Sequence, residues 1–225
     1  DDRSSVLMIG DVKNHPERAF DYIFGDKSGY LGRSVSMTSF VLEKMYLDEG
    51  TLGGKKVNIV LHAINGVLVF WLFWLLFRYQ KVPDYQILSV LLGAIWLVHP
   101  LLVSSVLYVV QRMAMLATSF MLLSSISYDY WRQGLIAGKT GALRFLPVPL
   151  FFLMALLSKE NAVVLVPVLL LLELWWFEFA GSGGRIIKWL RGLSLSLISG
   201  GVLLLSAILI FAWDDLAARF NKRRF

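Results

Sequence analysis

The residues best suited to chemistry are a few charged and polar side chains set in an apolar background. Ser158-Lys159-Glu160 places a cation and a carboxylate at the end of the apolar run Phe145 to Leu157. As a helix of about 13 residues this run reaches ~20 Å, short of a ~30 Å hydrocarbon core, so its polar end lies in a recess below the membrane surface. A recess holding a cation and a carboxylate suits a sugar-phosphate headgroup; the competing account is an internal Lys159–Glu160 pair with a structural role. Arg112, just ahead of another apolar run, either pairs with a phosphate or snorkels to the interface. Lys159 and Arg112 are expected within reach of one phosphate. Asn58, His62 and Asn65 share a helix face by their i, i+4, i+7 spacing, either for a polar ligand or for hydrogen bonds to a neighbouring helix. Asp1-Asp2 and the His99-Pro100 step complete the set, whereas Glu173 and Glu178 read as interfacial or packed groups.

These side chains stand out because charge is scarce. Of 225 residues 57% are hydrophobic and 17% charged, with no cysteine and a net charge of +6, and the mean hydropathy is +0.64. An ordinary soluble domain is nearer ~45–50% apolar and ~25% charged, so a soluble globular fold is excluded, as are disorder and a disulfide-stapled scaffold. The membrane class remains. The positive charge points to cytoplasmic loops and lipid phosphate, and no nucleic-acid partner is expected. Asp1-Asp2-Arg3 is not a signal peptide, and the missing initiator Met points to a longer protein.

The composition divides the chain at about residue 56. Residues 1–56 carry eight Lys/Arg against nine Asp/Glu and form a polar, membrane-flanking segment. Within it Arg18 to Phe24, and Val35, Phe40, Val41, Met45 and Tyr46, have helical spacing; such short helices either pack on the bundle or bind lipid. Residues 57–213 hold six apolar spans, at about 57–77, 85–98, 113–131, 145–157, 161–179 and 193–213. The predicted fold is an all-α polytopic membrane protein. Its loop cations Arg78, Lys81, Arg132, Lys139, Arg144, Arg185, Lys188 and Arg191 fall on one side, which the positive-inside bias makes cytoplasmic. Residues 1–56, the region 99–112, Ser158-Lys159-Glu160 and the tail 214–225 then face outward. The basic tail, with Arg219, Lys222, Arg223 and Arg224, runs against that bias: either it binds anionic groups or a span is miscounted.

Five motifs in order resemble the GT-C membrane glycosyltransferases: Asp1-Asp2-Arg3 with Asp11-Val12; Arg33-Ser34-Val35-Ser36-Met37-Thr38-Ser39-Phe40; Asn58-Ile59-Val60-Leu61-His62; His99-Pro100 with Val106 and Gln111-Arg112; and Leu156-Leu157-Ser158-Lys159-Glu160. Within that superfamily the chain is similar to the transmembrane O-mannosyltransferases with tetratricopeptide repeats and to their bacterial homologues, including pilin glycosyltransferases. It departs from them at Ser34, where relatives have Pro, at Ser104, where many have an acid, and at Gln111, where Gly is usual. The resemblance implies a GT-C-like bundle of seven spans, one of them before Asp1, with any repeat domain following residue 225. It also implies an acidic catalytic motif at Asp1-Asp2 in the first extracytoplasmic loop, and inverting transfer from a polyprenyl-phosphate sugar (undecaprenyl or dolichyl) to a hydroxyl of a protein or glycan. The expected setting is the bacterial inner membrane, with the site facing the periplasm.

Transfer to a hydroxyl needs a base for its proton and cations for the departing phosphate. Asp1 or Asp2 is the expected base, and Glu160 completes the acidic set. Lys159, Arg112, Arg33 and Arg219 are expected to hold phosphate, with Asn58, His62 and His99 lining the substrate site. A monophosphate leaving group demands no metal; a pyrophosphate would call for Mg²⁺ or Mn²⁺ on Asp2 and Glu160. Two other classes compete. A transporter or channel subunit would show inverted repeats or a polar path to the cytoplasmic side, and neither is visible in the sequence. A non-catalytic membrane scaffold would tolerate replacement of the outer charges.

Overall fold

The computed structural model describes residues 12, 15–25, 32–47, 50–139, 141–181, 191–192, 195–196 and 199–200. Among these the chain is helical, with no β-strand. A 3-10 turn at Pro16–Arg18 leads into α1 (Ala19–Phe24), and α2 spans Ser34–Tyr46. The remaining α-helices are α3 (Gly50–Tyr79), α4 (Tyr85–Leu97), α5 (Val103–Leu107), α6 (Arg112–Ile136), α7 (Pro147–Leu156) and α8 (Leu165–Leu172).

Three helical stretches are long and apolar enough to cross a membrane: Leu52–Tyr79, Val109–Ile136 and Glu160–Phe177. A fourth is formed if α4 and the Pro100–Leu107 segment, bent by 48°, count as one span. This is a membrane protein. The short apolar helix Leu143–Leu156 reaches only ~21 Å at ~1.5 Å per residue, so it does not cross unaided. The described residues thus hold three or four spans, and the apolar run 193–213 lies almost entirely outside them, as does the tail 214–225. The spans Leu52–Tyr79 and Val109–Ile136 are also longer than their apolar cores, because helix-forming residues such as Lys55, Lys56 and Arg132 continue the α-helix through the interface.

The bundle is held together by close approach. α3 packs against α4 and α6, and α6 against α7 and α8. Lipid tails are as apolar as leucine, so helix association here depends on small residues and interhelical hydrogen bonds. Ala117, Ala155 and Ala162 meet in one buried cluster. A Cβ at Gly93 would stand 3.1 Å from Phe70 Cβ and 3.4 Å from the Gly66 carbonyl oxygen, so glycine lets α4 settle onto α3. Val12, Met37, Phe40, Val41 and Met113 form a separate core that fixes α2 to the start of α6. The chain's directions bring the start of α3, the bend after α4, the start of α6 and the end of α7 to one end of the bundle. That is the α2 end.

Candidate functional site

The α2 end is built by joining exposed helix termini. The first backbone N–H groups of a helix and its last carbonyls have no partner within it. Here two termini satisfy each other: Val35 N–H of α2 donates to the Leu157 carbonyl at 3.2 Å, where α7 ends. Ser36 Oγ donates to the next carbonyl, that of Ser158, at 2.8 Å, and Ser158 itself is buried. Arg33, just ahead of α2, has φ 44° and follows Gly32 at φ 78°. That left-handed backbone costs a non-glycine residue about 1–2 kcal/mol. The turn aims its guanidinium at Glu160: Nε to Oε2 is 3.1 Å and Nη2 to Oε1 2.7 Å, a two-point contact. Its Nη1 donates to Met113 Sδ at 3.6 Å.

Lys159 sits between these contacts on extended backbone, φ −160° and ψ 135°. It is half-buried, and among the described residues its side chain makes no hydrogen bond or ion pair. The pair in this motif is therefore Arg33–Glu160, across 127 positions of sequence, not Lys159–Glu160. That leaves the lysine charge uncommitted beside a carboxylate whose side chain is 36% exposed.

Arg112 has a different surrounding. Its side chain is fully buried and its Nη2 meets Glu43 Oε2 at 2.5 Å. Nε donates to Asn58 Oδ1 at 3.2 Å, Nη2 to the Gly54 carbonyl at 3.1 Å, and Nη1 to the Ser39 carbonyl at 3.5 Å, while the guanidinium lies 4.5 Å from the centre of the Phe40 ring. Gly54 makes the knot fit, since a Cβ there would stand 2.8 Å from Val109 Cγ1. A buried charge must be paired to be tolerated, and this one is. The expectation that Arg112 and Lys159 share one phosphate is corrected: Arg112 is closed on protein partners and ties α2 and α3 to the start of α6.

Asn58, His62 and Asn65 do share one face of α3, and each engages backbone. Asn58 Nδ2 donates to the carbonyls of Val106 at 3.2 Å, in the last turn of α5, and of Tyr108 at 3.1 Å, the extended residue between α5 and a 3-10 turn at Val109–Gln111. Irregular backbone at membrane depth needs such partners. Asn65 Nδ2 donates to the Met115 carbonyl at 3.0 Å and its Oδ1 accepts from Ser119 at 2.6 Å. His62 Nε2 lies 2.9 Å from the Leu97 carbonyl, and its ring stacks on Trp96 with centroids 5.0 Å apart. His99 Nδ1 accepts from Leu101 N–H at 3.3 Å and caps the turn at the bend. The hydrogen-bonding account of this face is the one the geometry supports. His62 and His99 also flank an apolar groove of about 250 Å³ with Leu97, Val103, Val106 and Leu107.

Of the remaining sequence candidates, Asp1, Asp2 and Arg219 lie outside the described residues. Both Glu160 carboxylate oxygens already accept from Arg33, whose positive charge beside them opposes binding of a second cation. Among the described residues no three His, Cys, Asp or Glu side chains come together as a metal site.

A second ionic cluster lies at the opposite end. Arg132 contacts Glu173 twice, Nε to Oε2 at 2.8 Å and Nη2 to Oε1 at 2.6 Å. Tyr128 donates to the same carboxylate at 2.5 Å, and Asp129 accepts from Gln133 at 2.7 Å. Arg132 is thus a neutralised helix residue, not a loop cation. Sequence reasoning read Glu173 as an interfacial or packed group and Arg132 as a loop cation without joining them, and it passed over Glu43, though both sites leave signals. Glu43 shares the apolar face of α2 with Ser36 and Phe40 by i, i+4, i+7 spacing, and an acid there needs a buried cation. Glu173 and Arg132 are lone opposite charges near the same end of two spans. A comparison of the chain with protein-family models, with curated proteins and with solved structures finds no match.

Proposed function

We propose that this protein is an inverting membrane glycosyltransferase that moves a sugar from a polyprenyl phosphate to a hydroxyl of a protein or glycan. The observation that carries the reading is Lys159: an uncommitted cation at the end of a helix too short to cross, beside a carboxylate that Arg33 holds in place. In this reading Lys159 binds the donor phosphate through a charge-assisted hydrogen bond. Glu160 faces the sugar or acceptor, and the groove beside His62 and His99 takes the isoprenoid chain.

The acceptor oxygen attacks the anomeric carbon from the side opposite the phosphate. The bond from that carbon to the phosphate oxygen breaks, polyprenyl phosphate leaves, and the acceptor proton passes to a carboxylate, assigned to Asp1 or Asp2 by the sequence resemblance. The site faces the periplasm across a bacterial inner membrane, because Arg78, Lys81, Lys139 and Arg144 gather at the opposite end. A monophosphate leaving group held by Lys159 calls for no metal; a pyrophosphate donor would recruit Mg²⁺ or Mn²⁺.

A non-catalytic scaffold is the second reading, favoured by the closure of Arg33, Arg112 and Arg132 on glutamates. Turnover decides between them. The assay is release of undecaprenyl phosphate from undecaprenyl-phosphate mannose or glucose by the full-length protein in native membranes carrying acceptor. Asp→Asn at the true base should lower turnover about 10²–10⁴-fold and leave donor binding intact. Unchanged turnover in both Asp1→Asn and Asp2→Asn would refute the base assignment, and absence of turnover in the wild type with every donor would favour the scaffold.

A further inference from the structure

His62 and His99 hold two ring nitrogens whose roles the neighbouring backbone assigns. His62 Nε2 lies 2.9 Å from the Leu97 carbonyl, and a carbonyl oxygen only accepts, so Nε2 carries the proton and Nδ1 of the neutral ring keeps its lone pair. His99 is set the other way. Its Nδ1 accepts from Leu101 N–H at 3.3 Å, which leaves the ring proton on Nε2. Among the described residues neither His62 Nδ1 nor His99 Nε2 has a hydrogen-bond partner. Both rings line the same groove, with Leu97, Val103, Val106 and Leu107 as its apolar walls. The groove thus offers one acceptor and one donor on an aliphatic background.

Helix geometry sets its depth. Arg78 marks the interface at the far end of α3, its guanidinium 4.7 Å from the centre of the Trp74 ring. At ~1.5 Å per residue His62 stands roughly 24 Å from Arg78, so in a ~30 Å hydrocarbon core it lies roughly 6 Å inside the opposite boundary. Val98 and Leu101, beside the groove, are each 78% exposed, as expected of a surface that meets acyl chains. At that depth a polar atom without a partner costs free energy, so an occupant that pairs with both nitrogens is favoured.

We infer that this groove binds a membrane lipid carrying a free hydroxyl beside its apolar chain: the hydroxyl donates to His62 Nδ1 and accepts from His99 Nε2–H, and the chain lies along Leu97, Val103, Val106 and Leu107. A hydroxyl donates and accepts at a single atom. A bare isoprenoid or acyl chain leaves both nitrogens without a partner, and an ionised phosphate has no proton for His62 Nδ1. The site needs only that α3 spans a membrane. It is independent of the transferase reading, in which the same groove takes an isoprenoid chain.

These 225 residues hold no cysteine, so the full-length protein, freed of any cysteine elsewhere, can carry one bimane probe: at Val103→Cys on the groove wall, or at Ile64→Cys on the exposed side of α3. Reconstituted in phosphatidylcholine vesicles, each is titrated with 2-bromododecan-1-ol and with its methyl ether, which keeps the bromine, the chain and an accepting oxygen but cannot donate. Dividing quenching at Val103 by quenching at Ile64 removes the difference in partitioning. That ratio should be about threefold to tenfold higher for the alcohol than for the ether, the worth of one hydrogen bond. His62→Phe keeps a ring against Trp96 and removes the acceptor, and should make the two ratios equal while the Ile64 probe is quenched as before. Equal ratios in the protein with His62 intact would overturn the inference and make the groove a slot for bare hydrocarbon. A preference for the alcohol that survives His62→Phe would overturn it as well. Sugar transfer plays no part in the readout, so failure here leaves the donor assignment of Lys159 standing.

Discussion

Both ends of the bundle carry a two-point Arg–Glu pair joining distant parts of the chain, and the two differ in access. At the opposite end Arg132 and Glu173 have side chains 0% and 1% exposed, sealed beneath Tyr128 and Phe177. At the α2 end Arg33 is nearly as enclosed, but Glu160 opens to the surface and Lys159 lies beside it with no side-chain hydrogen bond or ion pair among the described residues. Burying two ions costs several kcal/mol each, and mutual attraction repays this only when the geometry is good and further hydrogen bonds are made. Tyr128 and the Ala180 carbonyl supply such bonds to the sealed pair, which acts as a clamp between α6 and the turn after α8. An ion pair by itself does not mark a site; an accessible carboxylate beside an uncommitted cation does.

The largest effect should come from opening the sealed pair. Glu173→Gln or Arg132→Met leaves one buried charge uncompensated and should cost about 3–5 kcal/mol, read as a lowered thermal midpoint of the protein in detergent. Replacing both, as Arg132→Met with Glu173→Leu, should restore most of that loss, because an apolar pair of similar volume needs no partner. A double variant as unstable as either single one would mean that the clamp works through something other than the pair.

A smaller loss is expected at the α2 end. Arg33→Met breaks a pair already part-solvated, so about 1–2 kcal/mol is expected, between the surface and buried cases. Hydrogen exchange should rise in α2 and at Leu157-Ser158 and stay unchanged around Glu173. Exchange rising equally at both ends would show that the two clusters are one cooperative unit and undo the comparison.

The sequence makes the outline of this arrangement legible and its wiring much less so. The apolar runs around 57–77 and 113–131 correspond to helices that can span, and the shortness of the run at 145–157 is matched by Leu143–Leu156, because hydrophobic length is a local property. Ser158-Lys159-Glu160 stands out for the same reason. Partner choice is not local. Arg33 finds Glu160 across 127 positions, and Arg112 finds Asn58 across 54, pairings that depend on the order in which helices pack. The end of the second span at about residue 98, ahead of His99-Pro100, is legible for the same local reason, but the short helix and 3-10 turns between Pro100 and Gln111 are not, since they are held by the His99 cap and by the Asn58 bonds to Val106 and Tyr108.

The smallest structural effect belongs to the residue on which the functional account rests. Lys159→Met removes no side-chain hydrogen bond or ion pair among the described residues, and methionine keeps the apolar stem, so stability should stay within about 0.5 kcal/mol of the wild type. The decisive measurement is therefore equilibrium binding of undecaprenyl phosphate to the full-length protein in nanodiscs, wild type against Lys159→Met, with the thermal midpoint recorded on the same samples. A charged hydrogen bond to phosphate is worth about 1.5–3 kcal/mol, so affinity should fall about tenfold or more while the midpoint holds. Equal affinity in the two proteins at equal stability would contradict the assignment of this end of the bundle as the donor site.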